Sequence, residues 1–495
     1  MNEQKSSYRQ VMKATSIFGG VQVFQIIIGI TRSKFIAVLL GPTGMGIAGL
    51  LTSTLGLIAG LTNFGLGTSA VKDIAAAHSS GNETRLGIVS KVFKRWVWIT
   101  GSLGALITAV LSPLLSELTF GNRDYTFAFI WISITLLLNQ ISAGQGVMLR
   151  GTRQIAYMAQ SAMIGSVIGL FTTIPLYYLY GVEGIVPAII ISAITSLSLT
   201  WWYARKLKIK DVFVSKVRTI AEGKGMLKMG FFISLSALIT LAASYLVRIF
   251  ISNYGGIDQV GLYNAGFAII NTYVGMIFAA MGADYYPRLS AVSHSNTQCK
   301  EVVNQQAEIA LLILAPILMV FLVFINWVVI VLYSSQFIAI NSMIYWAALG
   351  MFFKAASWTI GFLFLAKGTT KLFFWNELIT NIYLLLLNII GYYFWGLAGL
   401  GISFLVAYFL YLIQVYWIAK SKFDFSFDRA FIKIFFVQFG LAILSFIAVQ
   451  FFTSLFAYGM GIILIAVSCW YSWKELDQRL DLKTLIVNMK KKFKK

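Results

Sequence analysis

Apolar runs long enough to cross a bilayer, each parted from the next by a short polar turn, recur along the whole chain. A helix of roughly 18–20 apolar residues spans the hydrocarbon core, and the hydropathy pattern yields about fourteen such runs. Spans 1 to 6 are Ala14–Leu40, Met45–Val71, Trp96–Leu115, Tyr125–Met148, Ile155–Tyr180 and Gly184–Tyr203. A polar connection rich in Lys and Arg, residues 205–228, reads as an amphipathic stretch on the inner membrane surface. Spans 7 to 12 are Met229–Ser252, Val260–Ala283, Ile309–Tyr333, Ile340–Ala366, Leu372–Gly391 and Leu397–Ile418, and spans 13 and 14 are Ile434–Phe452 and Leu455–Trp473.

Some of these runs are not uniformly apolar. In span 1, Thr15, Gly19, Gln22, Gln25, Gly29 and Arg32 follow one another at steps of three or four, which is one face of a helix. Lipid has no use for such a face, whereas a water-filled cavity does. Span 7 repeats the pattern with Ser234, Thr240, Ser244 and Arg248, and span 10 with Gly350, Lys354, Ser357 and Gly361. Three small or polar faces that carry a cation predict one cavity between two lobes, along which something anionic passes.

Spans 1 and 7 also match in their surroundings. Lys13 and Lys228 precede them, Arg32 with Lys34 and Arg248 lie near their far ends, and the glycine-bearing turns Gly41–Gly46 and Gly255–Gly261 follow, all at an offset of about 215 residues. Both spans run in the same direction, so the repeat is parallel. The predicted organisation is an N-lobe (1–204), the basic linker (205–228), a C-lobe (229–420) and two further spans with a basic tail (421–495). The fold class is all-α and polytopic, with two parallel six-helix lobes.

Composition agrees. The chain of 495 residues is 58% hydrophobic and 12% charged, with a mean hydropathy of +0.79, far from the quarter charged of a soluble domain. A net charge of +21 in a soluble protein would point to nucleic acid. Here the basic residues gather in the loops of one side, as the positive-inside rule requires, so no nucleic-acid partner is expected. Only Arg123 falls in an outer loop, and only Arg32, Lys34, Arg248 and Lys354 fall within spans. Both ends are therefore expected in the cytoplasm, with no cleavable signal. The run Lys490, Lys491, Lys492, Lys494, Lys495 is suited to anionic membrane lipid.

A cation near the bilayer centre costs about 2.5–3.5 kcal/mol on insertion scales, a cost that implies use. Arg32, Arg248, Lys354 and Lys34 are the candidate cavity cations. Arg32 and Arg248 could instead snorkel to lipid headgroups, and so could Lys34, which points roughly away from Arg32. Gln22, Gln25, Ser234, Thr240, Ser244, Asn264, Asn271 and Ser357 are the candidate polar lining, although Asn264 and Asn271 also suit bonds to a neighbouring helix. Glu377 and Asp284 are the candidates for coupling to H⁺ or Na⁺. For Glu377 the alternative is an interfacial acid paired with Lys371. Cys299 and Cys469 are expected unpaired, and neither a metal site nor another cofactor is indicated. There is no Walker A pattern and no His-Glu-x-x-His, and the outer loops are short, so transport is expected rather than catalysis.

Two six-span lobes, a basic cavity and two extra spans resemble the multidrug/oligosaccharidyl-lipid/polysaccharide (MOP) exporter superfamily. The stretch Lys34-Phe35-Ile36-Ala37-Val38-Leu39-Leu40-Gly41-Pro42-Thr43-Gly44-Met45-Gly46 is similar to the opening of the Wzx-type O-antigen and lipid III translocases. So are Gly121-Asn122-Arg123-Asp124-Tyr125, Tyr286-Pro287-Arg288-Leu289-Ser290 and Leu365-Ala366-Lys367. The resemblance covers roughly residues 10–420. It implies a flippase that moves undecaprenyl-pyrophosphate-linked oligosaccharide from the cytoplasmic to the outer leaflet of the inner membrane by alternating access. It also implies that basic cavity residues, Arg32 among them, hold the pyrophosphate, and that other polysaccharide-assembly proteins are candidate partners. A cation-coupled drug exporter of the same fold is the alternative, and a polymerase or ligase of lipid-linked sugars a more distant one.

Overall fold

The computed structural model describes residues 2–207 and 209–480, with side chains from residue 24 onward apart from scattered helical positions. The side chain of Gln22 and the terminal lysines Lys490 to Lys495 lie outside the described residues. No strand occurs among the described residues. The helices are α1 (Asn2–Thr62), α2 (Leu66–Ser79), α3 (Glu83–Val110), α4 (Ser112–Phe120), α5 (Thr126–Gly151), α6 (Ile155–Tyr180), α7 (Ile185–Ala204) and α8 (Lys216–Gly255). They continue with α9 (Ile257–Phe267), α10 (Gly275–Ala291), α11 (Asn296–Leu332), α12 (Asn341–Ala366), α13 (Thr370–Phe423), α14 (Arg429–Phe451) and α15 (Ser454–Leu480).

Ten segments are long and apolar enough to cross a membrane, or eleven if α3 and α4, bent by 68°, form one. Three of these are hairpins of two spans, broken at Gly41, at the 3₁₀ turn Gly181–Gly184 and at Gly396, which brings the number to fourteen. The chain is a multi-pass helical membrane protein.

It divides into two compact units, Met1–Gly261 with Leu332–Ser334, and Leu262–Val331 with Ser335–Lys495. In the first, α3 packs on α5, α5 and α6 on α7, and α1 on α6. At Gly41 the backbone adopts φ 64°, ψ −166° ahead of Pro42, a conformation that glycine tolerates and other residues resist. This turn meets its counterpart 215 residues later. Thr43 Oγ1 donates to Asp258 at 2.5 Å. A Cβ on Gly46 would strike the Ile257 carbonyl, and one on Gly261 would strike the Pro42 carbonyl. Residues 42 and 46 thus treat 257 and 261 as they are treated in return, so the repeat has a reciprocal contact at its turns.

In the second unit α12 packs on α13 and α14, and α14 on α15. Helix α12 is buried on nearly every side. Its small residues serve close packing there, since a Cβ on Gly350 would meet Phe404 and Leu405.

Three boundaries differ from the sequence expectation. The segment expected as an inner loop, Lys72–Arg95, is mostly helical. Asn82 accepts from Arg85 N at 2.9 Å and so starts α3 well before its apolar part. The outer turn expected at Ser116–Asp124 is helical through Phe120, because α3 bends at Leu111 and α4 restarts over Pro113, a favoured first-turn residue, to end on Gly121 with φ 74°. The linker is not an amphipathic helix at its start. Residues 209–215 are extended, and Val212 and Val214, on one face of the stretch, pack against Ile88 and Val92 of α3 while Phe213 stays exposed. Helix α8 begins at Lys216, capped by Ser215, which accepts from Arg218 N.

Candidate functional site

The stripe of span 1 opens onto a cavity of about 480 Å³ in the first unit. Gln25, Gly29 and Arg32 of α1 form one wall, Ser161, Gly165 and Ser166 of α6 a second, and Ser192, Ser196 and Thr200 of α7 a third. The walls are partly tied together, for Ser142 and Ser196 share a hydrogen bond at 2.9 Å and Thr200 donates to Ser142 Oγ at 3.1 Å. Two groups are not. Arg32 Nε and Ser192 Oγ are buried and have no hydrogen-bond partner among the described residues. A guanidinium presents five N–H donors in a fixed plane and cannot lose its charge. Held in a cavity of small and hydroxyl side chains, it is suited to an anion with two or more oxygens.

The α6 and α7 walls escaped the sequence reading. Their signal is the one found in span 1, since Ser192, Ser196 and Thr200 stand at steps of four, as do Ser161, Gly165 and Gly169. The glycines remove side chains, and the hydroxyls alternate with strongly apolar neighbours, so mean hydropathy hides them.

The other predicted cations lie apart from this cavity. Arg248 folds onto its own helix and donates to the Ser244 carbonyl at 2.9 Å and to Ser244 Oγ at 2.5 Å. Lys34 donates to the carbonyl of Tyr333 at 2.5 Å, just past the end of α11. A cation is favoured there by the partial negative charge of a helix C-terminus. Ser234 lies where α8 crosses Gly65, close enough that a Cβ on Gly65 would meet its Oγ. Thr240 is exposed on α8.

Lys354 belongs to a second cluster, within the second unit. Its ammonium donates to Asn271 Oδ1 at 2.7 Å and lies 5.0 Å from the ring centre of Tyr408 and 5.5 Å from that of Phe404. Asn271 is carried on a π-helical turn, Ala268–Val274, between α9 and α10, a rare element that often marks functional sites. Ser357 is fully buried and donates to the carbonyl of Lys354. Asn264 is half-buried on α9. Further along α13, Tyr411 donates to Glu377 at 3.3 Å, and Gln414 reaches Asn376 Oδ1 at 2.8 Å. Glu377 is thus joined to Tyr411, not to Lys371, among the printed bonds. Tyr408 and Tyr411 have ring centres 6.2 Å apart, so a file of polar aromatic side chains runs between Lys354 and Glu377. Asp284 is not part of it: the carboxylate is exposed and pairs with Arg288 at 2.9 Å. No group of three metal-ligating side chains occurs among the described residues.

Comparison with known proteins adds to this geometry. Residues 11–293 match the family model described as polysaccharide biosynthesis protein. The lipid III flippase of Escherichia coli (strain K12) is 23% identical over 363 residues, 70% of this chain and 83% of that protein. The structure of the lipid II flippase MurJ in an inward closed conformation superposes with a TM-score of 0.71 at 14% identity, covering 93% of this chain and 99% of that one. An inward-facing multidrug resistance MATE family transporter of the MOP superfamily gives 0.65 at 16% identity, covering 81% of this chain and 94% of that one. The fold is that of MOP-superfamily transporters.

Proposed function

The chain belongs to the polysaccharide biosynthesis protein family, and on that premise we propose that it is a flippase for lipid-linked oligosaccharide. It is a transporter and not an enzyme. The substrate is an oligosaccharide joined through pyrophosphate to a polyprenol, of the undecaprenyl type, and it crosses from the cytoplasmic to the outer leaflet of the inner membrane. Both chain ends lie in the cytoplasm in this reading, and enzymes that assemble the polysaccharide are candidate partners. The observation that carries the proposal is the Arg32 cavity, with an uncommitted guanidinium N–H and a hydroxyl-rich wall. Its volume, within the range of small-molecule sites, suits a pyrophosphate with a sugar or two, while the lipid tail stays in the bilayer. Movement follows from alternating access, driven by H⁺, Na⁺ or the gradient of the substrate itself. Glu377 and its tyrosine file are the candidate coupling element.

Depletion of the protein from its host tests the proposal. Lipid-linked oligosaccharide is expected to accumulate on the inner leaflet, and wild type but not Arg32→Ala is expected to reverse it. The alternative, a cation-coupled drug exporter, rests on the shared fold with a MATE transporter. Unchanged lipid-linked oligosaccharide with raised sensitivity to cationic drugs would select it and overturn the flippase.

A further inference from the structure

A second and larger cleft, of about 960 Å³, lies in the first unit where the α3 N-terminal half, the extended stretch 209–215 and the start of α8 meet. Its chemistry is divided. One side carries Lys91, Lys94, Lys210 and Lys216, and the other carries Trp98, Ile99 and Ile220. Those three apolar side chains are half or more exposed. Of the lysines, Lys91 is held by Asp211 at 2.7 Å. Arg95, also at the cleft, is turned to the Val214 carbonyl and to Thr219 Oγ1. Lys94, Lys210 and Lys216 have no partner among the described residues. Ser90, only 2% exposed, lines the same cleft, and its hydroxyl has no hydrogen-bond partner there.

A buried hydroxyl without a partner marks a place where one is missing. Unpaired lysines beside it call for an anion. The exposed Trp, Ile and Ile wall has no use for a soluble anion, but it suits acyl chain, with tryptophan at the level where headgroup gives way to hydrocarbon. The cleft also sits at the edge of span 3, where Lys94 and Arg95 give way to the apolar run.

We propose that this cleft binds an anionic phospholipid, its phosphodiester between Lys94, Lys216 and the Ser90 hydroxyl and an acyl chain along Trp98, Ile99 and Ile220. The site is separate from the Arg32 cavity and does not depend on the transport reading. Asp211 is its internal competitor. Phosphate that reaches Lys91 must displace a carboxylate already there, so loss of that carboxylate strengthens binding instead of weakening it.

The test uses the full-length protein in phosphatidylcholine nanodiscs that contain a few per cent of photoactivatable phosphatidylglycerol. Adducts are expected on peptides containing Trp98, Ile99 or Ile220. Each lysine near an anionic headgroup contributes about fivefold in affinity. Lys94→Gln with Lys216→Gln is therefore expected to reduce labelling by about twentyfold, whereas Lys94→Arg retains it and Asp211→Asn raises it several-fold. Because Asp211→Asn gains function, misfolding cannot imitate the result. Unlabelled phosphatidylglycerol is expected to compete, and inorganic phosphate is not. Competition by millimolar phosphate, labelling unaffected by the double substitution, or displacement by undecaprenyl pyrophosphate far below the phosphatidylglycerol concentration would each overturn the proposal, the last by assigning the cleft to the carrier lipid.

Discussion

Replacement of Lys354 by methionine is expected to leave the protein nearly as stable as before and to abolish transport if the ammonium meets the substrate. The stability term follows from the contacts. A hydrogen bond to a charged group contributes about 1.5–3 kcal/mol, here the 2.7 Å bond to Asn271. The two ring contacts, at 5.0 and 5.5 Å, add about 0.5–1 kcal/mol each. Against this stands the cost of about 2.5–3.5 kcal/mol of a lysine deep in the membrane. The balance is about 0–2 kcal/mol in favour of lysine. Asn271→Leu removes the acceptor and keeps the cation, so it is expected to cost more, about 3 kcal/mol. The double substitution, with neither group left to satisfy, is expected to fall close to Lys354→Met alone. Unfolding by steric trapping in a bilayer mimic, arranged as a double-mutant cycle, measures the coupling directly. A strictly additive cycle, or a loss above about 4 kcal/mol for Lys354→Met, would refute the account of the contacts. Wild-type transport by Lys354→Met would remove Lys354 from the substrate path.

Arg32→Lys keeps charge but loses the planar fork, so transport is expected to fall about tenfold, and Arg32→Ala about a hundredfold, at one to two charge-assisted bonds of roughly 1.5 kcal/mol each; equal rates for lysine and arginine in a vesicle flip assay would argue against bidentate binding. At the far end of α15, Arg479 bridges Glu308 and Glu475, each at 2.6 Å with all three groups largely buried. Arg479→Leu leaves two buried carboxylates and is expected to cost about 3–5 kcal/mol in a detergent melt, with partial rescue by Glu308→Gln, and a loss no larger than that of an exposed pair would show the bridge to be structurally idle. The stretch 209–222 is held to α3 by Lys91–Asp211 and Arg85–Glu222. Partial burial pushes the Glu222 carboxyl up, but hydrogen bonds from Arg218 and Arg85 outweigh it, and Lys91 likewise holds Asp211 below the usual carboxylate range. Both groups therefore stabilise the contact above the ordinary carboxylate pKa, and that contribution is lost only as pH falls through the lowered folded values; hydrogen exchange of residues 209–222 that rises on alkalinisation instead would reverse the sign.

The spans were legible in the sequence because bilayer thickness imposes a length on every apolar run, and the orientation and repeat followed from charge and turn glycines. The polar face of span 1 led to the Arg32 cavity by periodicity alone. What periodicity could not give was the difference between a small residue that lines space and one that fills it. Gly29 stands at open space, whereas Gly350 receives Phe404 and Leu405, and both read alike as a stripe. Nor could it show that Arg248 spends its guanidinium on the serine one turn before it. The helix ends strayed for a similar reason. Caps such as Asn82 and Ser215 begin helices among charged residues, where hydropathy sees only loop.

The π turn at Ala268–Val274 holds one residue more than an α-helix of the same height would need. Removal of a single residue there would turn everything as far as Ala291 by about 100°. Tyr285, whose hydroxyl now donates to the Thr359 carbonyl from a fully buried position, would swing off that bond. The Phe278 and Tyr285 rings would leave Trp358. The stretch is thus intolerant of length change in a way that a loop is not, and a one-residue deletion in it is a frame shift of the surface, written in space instead of in codons.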